Sequence, residues 1–254
     1  MNKFNHYQLP KIELDETGSL IKRRKSNDFF LEPRQDFKSH VWRKGISVIL
    51  TVWKRNNLEK QLEYIKNQTA NIDAIYVYQN ESHVDISYLK DKYDFNHIHS
   101  KDVNFKFHGR FTIPLLFDTE YTAIFDDDTI PNSGWLDHCR KLCEKKNCIV
   151  GANCRTYNES IELNCGDGNT EPVKCDIVGH CWFFKTKWIH YMWREKPISY
   201  YNGEDIHLSA TCNIFGGIET YFPSQPNNRP ELWGDTEQKF GMDEHASYKR
   251  TDHL

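Results

Sequence analysis

The 254-residue sequence lacks any apolar run that approaches the ~18 residues of a membrane-spanning helix, so we expect no membrane span. Its first residues also lack the apolar centre of a secretory signal, which favours a cytoplasmic location. Neither sign of charge is in large excess, because acidic and basic residues are interspersed and the formal net charge is only -3. This balance argues against a protein that binds nucleic acid through bulk charge.

Cysteine pairs of the CxxC type are also missing, which argues against a zinc ribbon. The chain has eight cysteines, and without a secretory signal we expect reduced thiols rather than disulfides. Cys139 and Cys143 lie four residues apart on a predicted helix. We interpret them as small buried apolar side chains, because free cysteine is commonly buried.

The residues that are present suit a folded domain. Hydrophobic residues make up 38% of the chain, aromatic residues 14% and charged residues 27%, which is a globular rather than a disordered composition. Residues 1–44 differ from the rest, since they are polar and show no sustained periodicity. We therefore predict an N-terminal extension over residues 1–44 and a single domain over residues 45–254.

Four apolar, β-branched or aromatic runs in the first half predict strands at Ile46–Val52, Ala74–Tyr78, Phe95–His99 and Tyr121–Phe125. Between the first two, Leu58, Leu62 and Ile65 recur at helical spacing. Strands that alternate with helices predict an α/β fold with a mostly parallel sheet flanked by helices. In such sheets, ligands bind beyond the carboxyl ends of the strands.

The second half has a less regular pattern. It predicts a helix at Ser133–Lys146, a strand at Cys148–Cys154, a polar excursion or hairpin at 155–171, an apolar aromatic segment at Val173–Phe184, and a helix within Gly203–Asn213. Trp233 and Phe240 are expected to anchor the last thirty residues.

The strongest chemical signal is the carboxylate triplet Asp126, Asp127 and Asp128 at the end of the fourth predicted strand. Adjacent carboxylates repel each other unless a cation or basic side chains neutralise them. In an extended segment, Asp126 and Asp128 would point one way and Asp127 the other. We therefore predict Asp126 and Asp128 as ligands of Mn²⁺ or Mg²⁺, with Asp127 free to contact a ribose or a basic partner. An acidic turn or a helix cap is the alternative.

Two further segments carry weaker signals. Glu204 and Asp205 follow Gly203 and precede a predicted helix, where a carboxylate can act as a base or stabilise a developing cation. A helix N-terminus enriched in acids would look the same. In the segment 176–184, Gly179 permits close backbone approach, His180 can bond a hydroxyl, and Trp182 can stack on a sugar. The alternative is a core strand with buried aromatics.

The histidines are less informative. His97 and His99 alternate along a predicted strand, and we interpret them as structural or exposed. His245, within Asp243-Glu244-His245, is a candidate contact for a metal or a phosphate, although a histidine near a terminus is usually a surface residue.

The order of these motifs resembles a known family. Along the chain they are Lys54-Arg55-Asn56 after the first strand, Tyr76–Asn80, Arg110 in a helix, Asp126–Ile130, Gly179–Phe184, Glu204–Ile206 and Glu244–Ala246. The pattern is similar to the GT-A glycosyltransferases, and most closely to the exostosin-type domain that builds heparan-sulfate chains. It covers about residues 45–250, and the aspartate triplet followed by Thr129 is its most specific element. Unlike the animal enzymes, this sequence has no secretory anchor and carries Trp53-Lys54-Arg55 in place of a smaller aromatic motif.

The resemblance implies a Rossmann-like GT-A fold with a smaller mixed region on the acceptor side. It implies contacts to the nucleotide from Thr51, Arg55, Asn80, Arg110, Asp126 and Asp127, and to the metal from Asp128, Asp126 and His245. It further implies that Asp205, with Glu204 beside it, lies against the reacting anomeric centre. We assign Gly179, His180 and Trp182 to the acceptor.

The function implied is transfer of a sugar from a nucleotide-diphosphate donor, with UDP expected, to a glycan or glycoconjugate acceptor. Inverting and retaining chemistry both stay open. The rival interpretations are a nucleotidyltransferase acting on sugar phosphates and a non-catalytic carbohydrate-binding protein on a transferase scaffold. A nucleotidyltransferase usually carries a Gly/Arg/Lys-rich triphosphate loop, whereas Trp53–Asn57 follows the first strand here.

Overall fold

A computed structural model describes residues 42–157 and 161–236, with Ile161 described by its backbone alone. Nearly all of the predicted extension at 1–44 lies outside these ranges, as do Phe240 and His245. The strands are β1 Arg43–Val52, β2 Ile72–Asn80, β3 Asn96–Ser100, β4 Thr119–Phe125, β5 Ile149–Thr156, β6 Ile161–Leu163, β7 Val173–Cys175, β8 Ile177–Lys185 and β9 Thr220–Phe222. The α-helices are α1 Leu58–Lys66, α2 Trp135–Lys146, α3 Ile189–Met192 and α4 Glu204–Gly216. Short 3-10 helices occupy Ser87–Asp91, Gly109–Phe111, Ile113–Leu116, Thr186–Trp188 and Pro230–Leu232.

The nine strands of the described ranges form one mixed sheet. Its order is β3-β2-β1-β4-β8-β5-β9-β7, and β6 pairs with β5 off this path. Strands β1 to β4 pair in parallel, whereas β8 runs antiparallel to both β4 and β5. Strand β9 is parallel to β5, and β7 is antiparallel to β9. The predicted α/β class is therefore confirmed, with a parallel side built from the first half of the chain and a mixed side from the second.

The apolar runs fold as the sequence predicts because they lie at the centre of this sheet. Strand β1 is hydrogen-bonded on both sides, and Val48, Ile49 and Leu50 are fully buried. A strand covered on both faces reads as a continuous apolar run. The helical stripe of Leu58, Leu62 and Ile65 on α1 is also buried, as its spacing predicts.

The mixed side depends on a close approach between β5 and β8. A Cβ atom at Gly151 would lie 2.4 Å from Val178 Cβ and 2.9 Å from Cys181 O, so only glycine fits there. Strand β5 also continues to Thr156 and pairs with β6, which confirms the hairpin predicted within 155–171. The apolar segment Val173–Phe184 forms two strands, because β7 pairs with β9 while β8 joins β4 and β5.

Two predicted helix features differ in detail. Helix α2 begins at Trp135 rather than Ser133. The reason is that Ser133 O accepts a bond from Thr69 N at 2.9 Å and Gly134 N donates to Glu231 O at 2.8 Å, so these groups bond outside the helix. Arg110 lies in the 3-10 helix Gly109–Phe111 rather than in an α-helix.

All eight cysteines are buried free thiols, and the burial expected for Cys139 and Cys143 on α2 is confirmed. Within residues 42–157 and 161–236, no helix is both long enough and apolar enough to cross a bilayer.

Candidate active site

A cavity of about 540 Å³ opens beyond the carboxyl ends of β1, β2 and β4. Every predicted site residue except His245 lines it: Thr51, Arg55, Asn80, Arg110, Asp126, Asp127, Asp128, Gly179, His180, Trp182, Glu204 and Asp205. His245 lies outside the described residues. Residues separated by more than 150 positions in sequence therefore share one concave surface.

The cavity lies where the topology of the parallel side reverses direction. The chain leaves β1 to form β2 and β3 on one side, then returns to form β4 on the other side of β1. Such a reversal leaves a crevice between the carboxyl ends of the two diverging strands, where ligands of open α/β sheets bind. Thr51 on β1 donates to Phe125 O on β4 at 2.9 Å, which joins the two strands at this edge.

The aspartate triplet forms a turn rather than an extension of β4. Thr129 N donates to Asp126 O at 3.2 Å, which closes the turn. The amide of Gln61, a fully buried residue of α1, donates to Asp126 O at 2.7 Å and to Thr129 O at 2.8 Å. Asn57, just before α1, donates to Asp127 O at 2.9 Å. Because side chains at the start of α1 hold the backbone of the turn, the carboxylates are fixed relative to β1.

The predicted alternation of the three carboxylates is wrong, because a turn does not keep the two-residue period of a strand. Asp127 and Asp128 both contact Arg55 Nη1, at 2.5 Å and 3.3 Å. Asp126 instead accepts a hydrogen bond from Arg110 Nη1. The triplet therefore divides into a pair facing Arg55 and a single carboxylate facing Arg110.

Arg110 connects the triplet to α4. Its Nη2 donates to Glu204 Oε1 at 2.8 Å while its Nη1 bonds Asp126, and its guanidinium lies 4.7 Å from the centroid of the Trp182 ring. The side chain is only 7% exposed. Although burial opposes it, the charges of Asp126 and Glu204 raise the pKa of Arg110. The side chain predicted to face the nucleotide thus has two carboxylate partners of its own.

In the described part of the chain, the carboxylates of this cluster outnumber its guanidiniums. Among the described residues, the ion pairs join four carboxylates, those of Asp126, Asp127, Asp128 and Glu204, to two guanidiniums, those of Arg55 and Arg110. Four negative and two positive charges leave a formal excess of two negative charges. Burial raises the pKa of Asp126, and it raises the pKa of Asp127 and of Glu204 to about 7 against the opposing effect of the arginines. With all four carboxylates ionised, a divalent cation would balance the formal charge of these side chains.

The donor atoms suit Mg²⁺ or Mn²⁺, which prefer carboxylate oxygen and complete their coordination with water and phosphate. In the described ranges, no three His, Cys, Asp or Glu side chains converge on one point. Asp126 and Asp128 would therefore supply part of a coordination shell and leave the remainder to other oxygen ligands. The metal assignment stays a prediction.

The predicted acceptor residues lie on β8, the strand antiparallel to β4. His180 has a positive φ of 61°, and its carbonyl accepts a hydrogen bond from Asp126 N at 3.0 Å. Trp182 is 2% exposed and donates to Val178 O at 2.8 Å, which agrees with the core interpretation of this segment. At Gly179, an added Cβ would meet Asn153 Oδ1 at 3.2 Å. Stacking of a sugar on Trp182 stays a prediction.

The two carboxylates at the start of α4 have different surroundings. Gly203 precedes the helix with φ 81°, a conformation that favours glycine. Glu204 is buried against Arg110, whereas Asp205 is half-buried and lines the cavity. Asp205 is thus the more accessible of the two to a bound substrate.

Several cavity residues are absent from the sequence-based predictions. They are Val52, Trp53, Tyr78, Asn104, Lys106, Phe107, Asn153, Arg155, Tyr157, Ile177, Asn202, Gly203 and Ile206. Trp53 directly follows the first predicted strand and is close to Arg55 in sequence, so its position could have identified it as a site residue. Asn104 and Lys106 lie in a loop without periodicity, so no sequence pattern could have identified them as site residues.

Comparison with known proteins identifies no family for this chain. No protein-family model matches the chain, and no curated protein is significantly similar to it in sequence. The resemblance to GT-A glycosyltransferases therefore depends on the motifs of this chain and on the geometry of its cavity.

Proposed function

We propose that this protein is a metal-dependent glycosyltransferase of the GT-A type. It would move a sugar from a nucleotide-diphosphate donor to a glycan or glycoconjugate hydroxyl, and UDP is the expected nucleotide of the donor. One observation carries the proposal. The Asp126–Asp128 turn, two arginines and the Glu204-Asp205 pair come from distant parts of the chain and line a single cavity at the switch point on the parallel side of the sheet. Such crevices bind nucleotides in open α/β folds.

The donor would span the cavity from its β2 side to its centre. Asn80 at the end of β2 and Thr51 near the end of β1 would contact the base and ribose. Arg55 and Arg110 contribute positive charge beside the turn, where a diphosphate needs it. Because both arginines already bond carboxylates, they would orient the acidic turn as well as attract the donor.

Asp128 and Asp126 would hold the divalent metal, and the formal excess of two negative charges among the described side chains supports a cation at this turn. When bound, the metal supplies Lewis-acid stabilisation of the negative charge that develops on the leaving diphosphate. Asp127, which is held by Arg55 at 2.5 Å, is then left for the ribose.

The transfer breaks the bond between the anomeric carbon and the diphosphate oxygen and forms one to the acceptor oxygen. Asp205 is our candidate for the carboxylate at the reacting centre, since Glu204 is buried and paired with Arg110. In an inverting reaction, Asp205 would take the proton of the acceptor hydroxyl. In a retaining reaction, the leaving phosphate would take that proton, and the carboxylate would stabilise positive charge on the sugar.

A donor-hydrolysis screen tests the proposal. The protein is incubated with a panel of UDP-sugars in the presence of Mn²⁺, and released sugar and UDP are measured, with and without EDTA. We expect Mn²⁺-dependent hydrolysis of at least one donor. The Asp128→Ala variant should lose about 100-fold or more of that activity, since metal stabilisation of the leaving group contributes several kcal/mol.

Asp102→Ala, at an exposed aspartate outside the cavity lining, is the matched control and should retain activity. Full activity of Asp128→Ala would contradict the metal role. Release of pyrophosphate from a nucleoside triphosphate and a sugar phosphate, without UDP-sugar turnover, would instead identify a nucleotidyltransferase. Sugar binding without either reaction would identify a carbohydrate-binding protein.

A further inference from the structure

Two polar side chains from the start of α1 bond the backbone of the aspartate turn. The Gln61 amide nitrogen donates to Asp126 O at 2.7 Å and to Thr129 O at 2.8 Å, which uses both of its hydrogens. Asn57 donates to Asp127 O at 2.9 Å. Because these bonds reach the carbonyls at both ends and in the middle of the turn, the turn backbone is tied to α1 along its length.

Both side chains make these bonds in place of more usual ones. Asn57 is the N-cap residue of α1, where asparagine normally accepts a bond from a backbone N–H of the first helical turn, yet its side chain does not cap the described helix. Gln61 is fully buried, and its Oε1 has no hydrogen-bond partner among the described residues. A buried acceptor without a partner destabilises the folded state. The start of α1 thus favours the turn over its own best hydrogen bonding.

The carboxylates of the turn are held by their side chains as well. Asp126 accepts a hydrogen bond from Arg110, and Asp128 Oδ2 lies 3.3 Å from Arg55 Nη1. The backbone is bonded to α1 and each of these carboxylates is paired with an arginine, so the carboxylate oxygens have little freedom to adjust to a ligand. The spacing between them is therefore determined by the protein.

We propose that Asn57 and Gln61 are positioning residues that make the turn selective for a small divalent cation, Mg²⁺ or Mn²⁺, over Ca²⁺. The inference rests on the proposed function, because it concerns the cation of the same turn. Among the described residues, neither of the two lines the cavity. Both act through the backbone of the aspartates and not on the cation itself.

The selectivity follows from the different ligand geometries of these cations. Mg²⁺ binds oxygen at about 2.0–2.1 Å in nearly octahedral geometry, whereas Ca²⁺ takes about six to eight oxygens at about 2.3–2.6 Å in variable geometry. A turn whose carboxylates resist moving apart disfavours the larger ion. When the bonds from Gln61 or Asn57 are removed, the backbone can relax, and Ca²⁺ gains more from that freedom than Mg²⁺ does.

Competition for bound Mn²⁺ tests this selectivity without any reaction. Mn²⁺ is bound to the full chain with one equivalent of UDP, and electron paramagnetic resonance follows the free Mn²⁺ while Mg²⁺ or Ca²⁺ is added. A sample of UDP without protein provides the background. The Ca²⁺ concentration that releases half of the bound Mn²⁺, divided by the corresponding Mg²⁺ concentration, measures the selectivity.

In wild type, we expect this ratio to be about ten or more. Gln61→Met keeps a side chain of similar length but removes both donors, so its ratio should fall by about fivefold or more. Asn57→Ala should lower the ratio in the same direction, and it decides the question if Gln61→Met does not fold, because Asn57 is only half-buried. A ratio within one variant is independent of the fraction of folded protein, so partial unfolding cannot imitate the effect.

Gln68→Met is the matched control. Gln68 follows α1, and its amide donates to Asn132 O at 2.7 Å and accepts from Leu136 N at 3.0 Å, both beyond the aspartate turn. This variant also removes hydrogen bonds of a glutamine to the backbone, but it should keep the wild-type ratio. An equal fall in Gln68→Met and Gln61→Met would show general loosening of the fold and overturn the inference.

The remaining outcomes separate the two proposals. An unchanged ratio in both Gln61→Met and Asn57→Ala would overturn the positioning role and leave the glycosyltransferase proposal intact. A wild-type ratio near one would overturn the inferred selectivity in the same way. Failure of wild type to bind Mn²⁺ in the presence of UDP would overturn the proposed function, and this inference with it.

Discussion

His108 is a buried histidine next to the 3-10 helix that carries Arg110, and its ring lies 5.7 Å from that of Tyr200. Burial, together with repulsion from His207 and Arg110, lowers its pKa to about 4 against the opposing effect of a hydrogen bond with the Tyr200 backbone. The pKa of histidine in an unfolded chain is about 6.5. The folded state therefore excludes a proton that the unfolded state accepts below this pH.

The stability that neutral His108 contributes should be fully present above pH 6.5 and should be lost as the pH falls towards 4. The free energy of unfolding by urea is measured across this interval for wild type and His108→Phe. We expect the variant to gain stability relative to wild type as the pH falls. His190→Phe, at an exposed histidine, is the control. A wild-type-to-variant difference that does not change with pH would contradict the buried neutral histidine.

Single residues also mark the limit of what the sequence can predict. The aspartate triplet is recognisable because three adjacent carboxylates need a cation or basic partners wherever they lie. Glu81 and Asn104 are separated by 23 positions and become partners only when the loop after β3 returns to the end of β2. No local sequence pattern indicates a hydrogen bond between residues this far apart, so the sequence could not predict it.

At the scale of elements, Arg110 fixes three segments to one another: its own 3-10 helix, the turn after β4 and the first turn of α4. Breaking a buried ion pair by removing one partner costs about 3–5 kcal/mol, because the other charge stays buried and unpaired. Arg110→Met would leave Asp126 and Glu204 in that condition. We expect its free energy of unfolding to fall by about that amount at neutral pH.

Arg140→Met provides the comparison for Arg110→Met. Arg140 lies on the exposed side of α2 and pairs with Asp137 at 2.6 Å, with 41% of its side chain exposed. Exposed pairs contribute about 0–1 kcal/mol, so this loss should be small. Urea unfolding of both variants gives the two values directly. Equal losses would show that Arg110 is not the link between α4 and the turn.

An element or orientation can be predicted from the sequence when neighbouring residues determine it, and not when distant residues do. The central strands are predictable because burial on both faces requires a continuous apolar run, as in β1. The predicted orientation of the carboxylates is wrong because the prediction continues the strand period past Phe125. In the structure, Gln61 and Asn57 hold the backbone in a turn. Those two polar residues lie more than 60 positions away and give no pattern of their own.

At the scale of the whole molecule, strand order determines where the site lies. Strands β1 and β4 are separated by the 66 residues 53–118, and yet they are neighbours in the sheet. The sequence predicts the parallel strands and the edge at which ligands bind, but it does not give the order 3-2-1-4 that opens the crevice. It also gives no sign that β8 runs antiparallel beside β4, which brings His180 to Asp126.

The central claim is that the cavity binds a nucleotide diphosphate together with a divalent cation held by the aspartate turn. Calorimetric titration of UDP into the full-length protein, with Mn²⁺ and again after chelation, tests it most directly. Two ligands that share a site change each other's affinity by the same factor. We predict that Mn²⁺ tightens UDP binding by about tenfold or more, and that Asp128→Asn abolishes this effect. UDP binding of equal strength with and without Mn²⁺, or no UDP binding at all, would contradict the account.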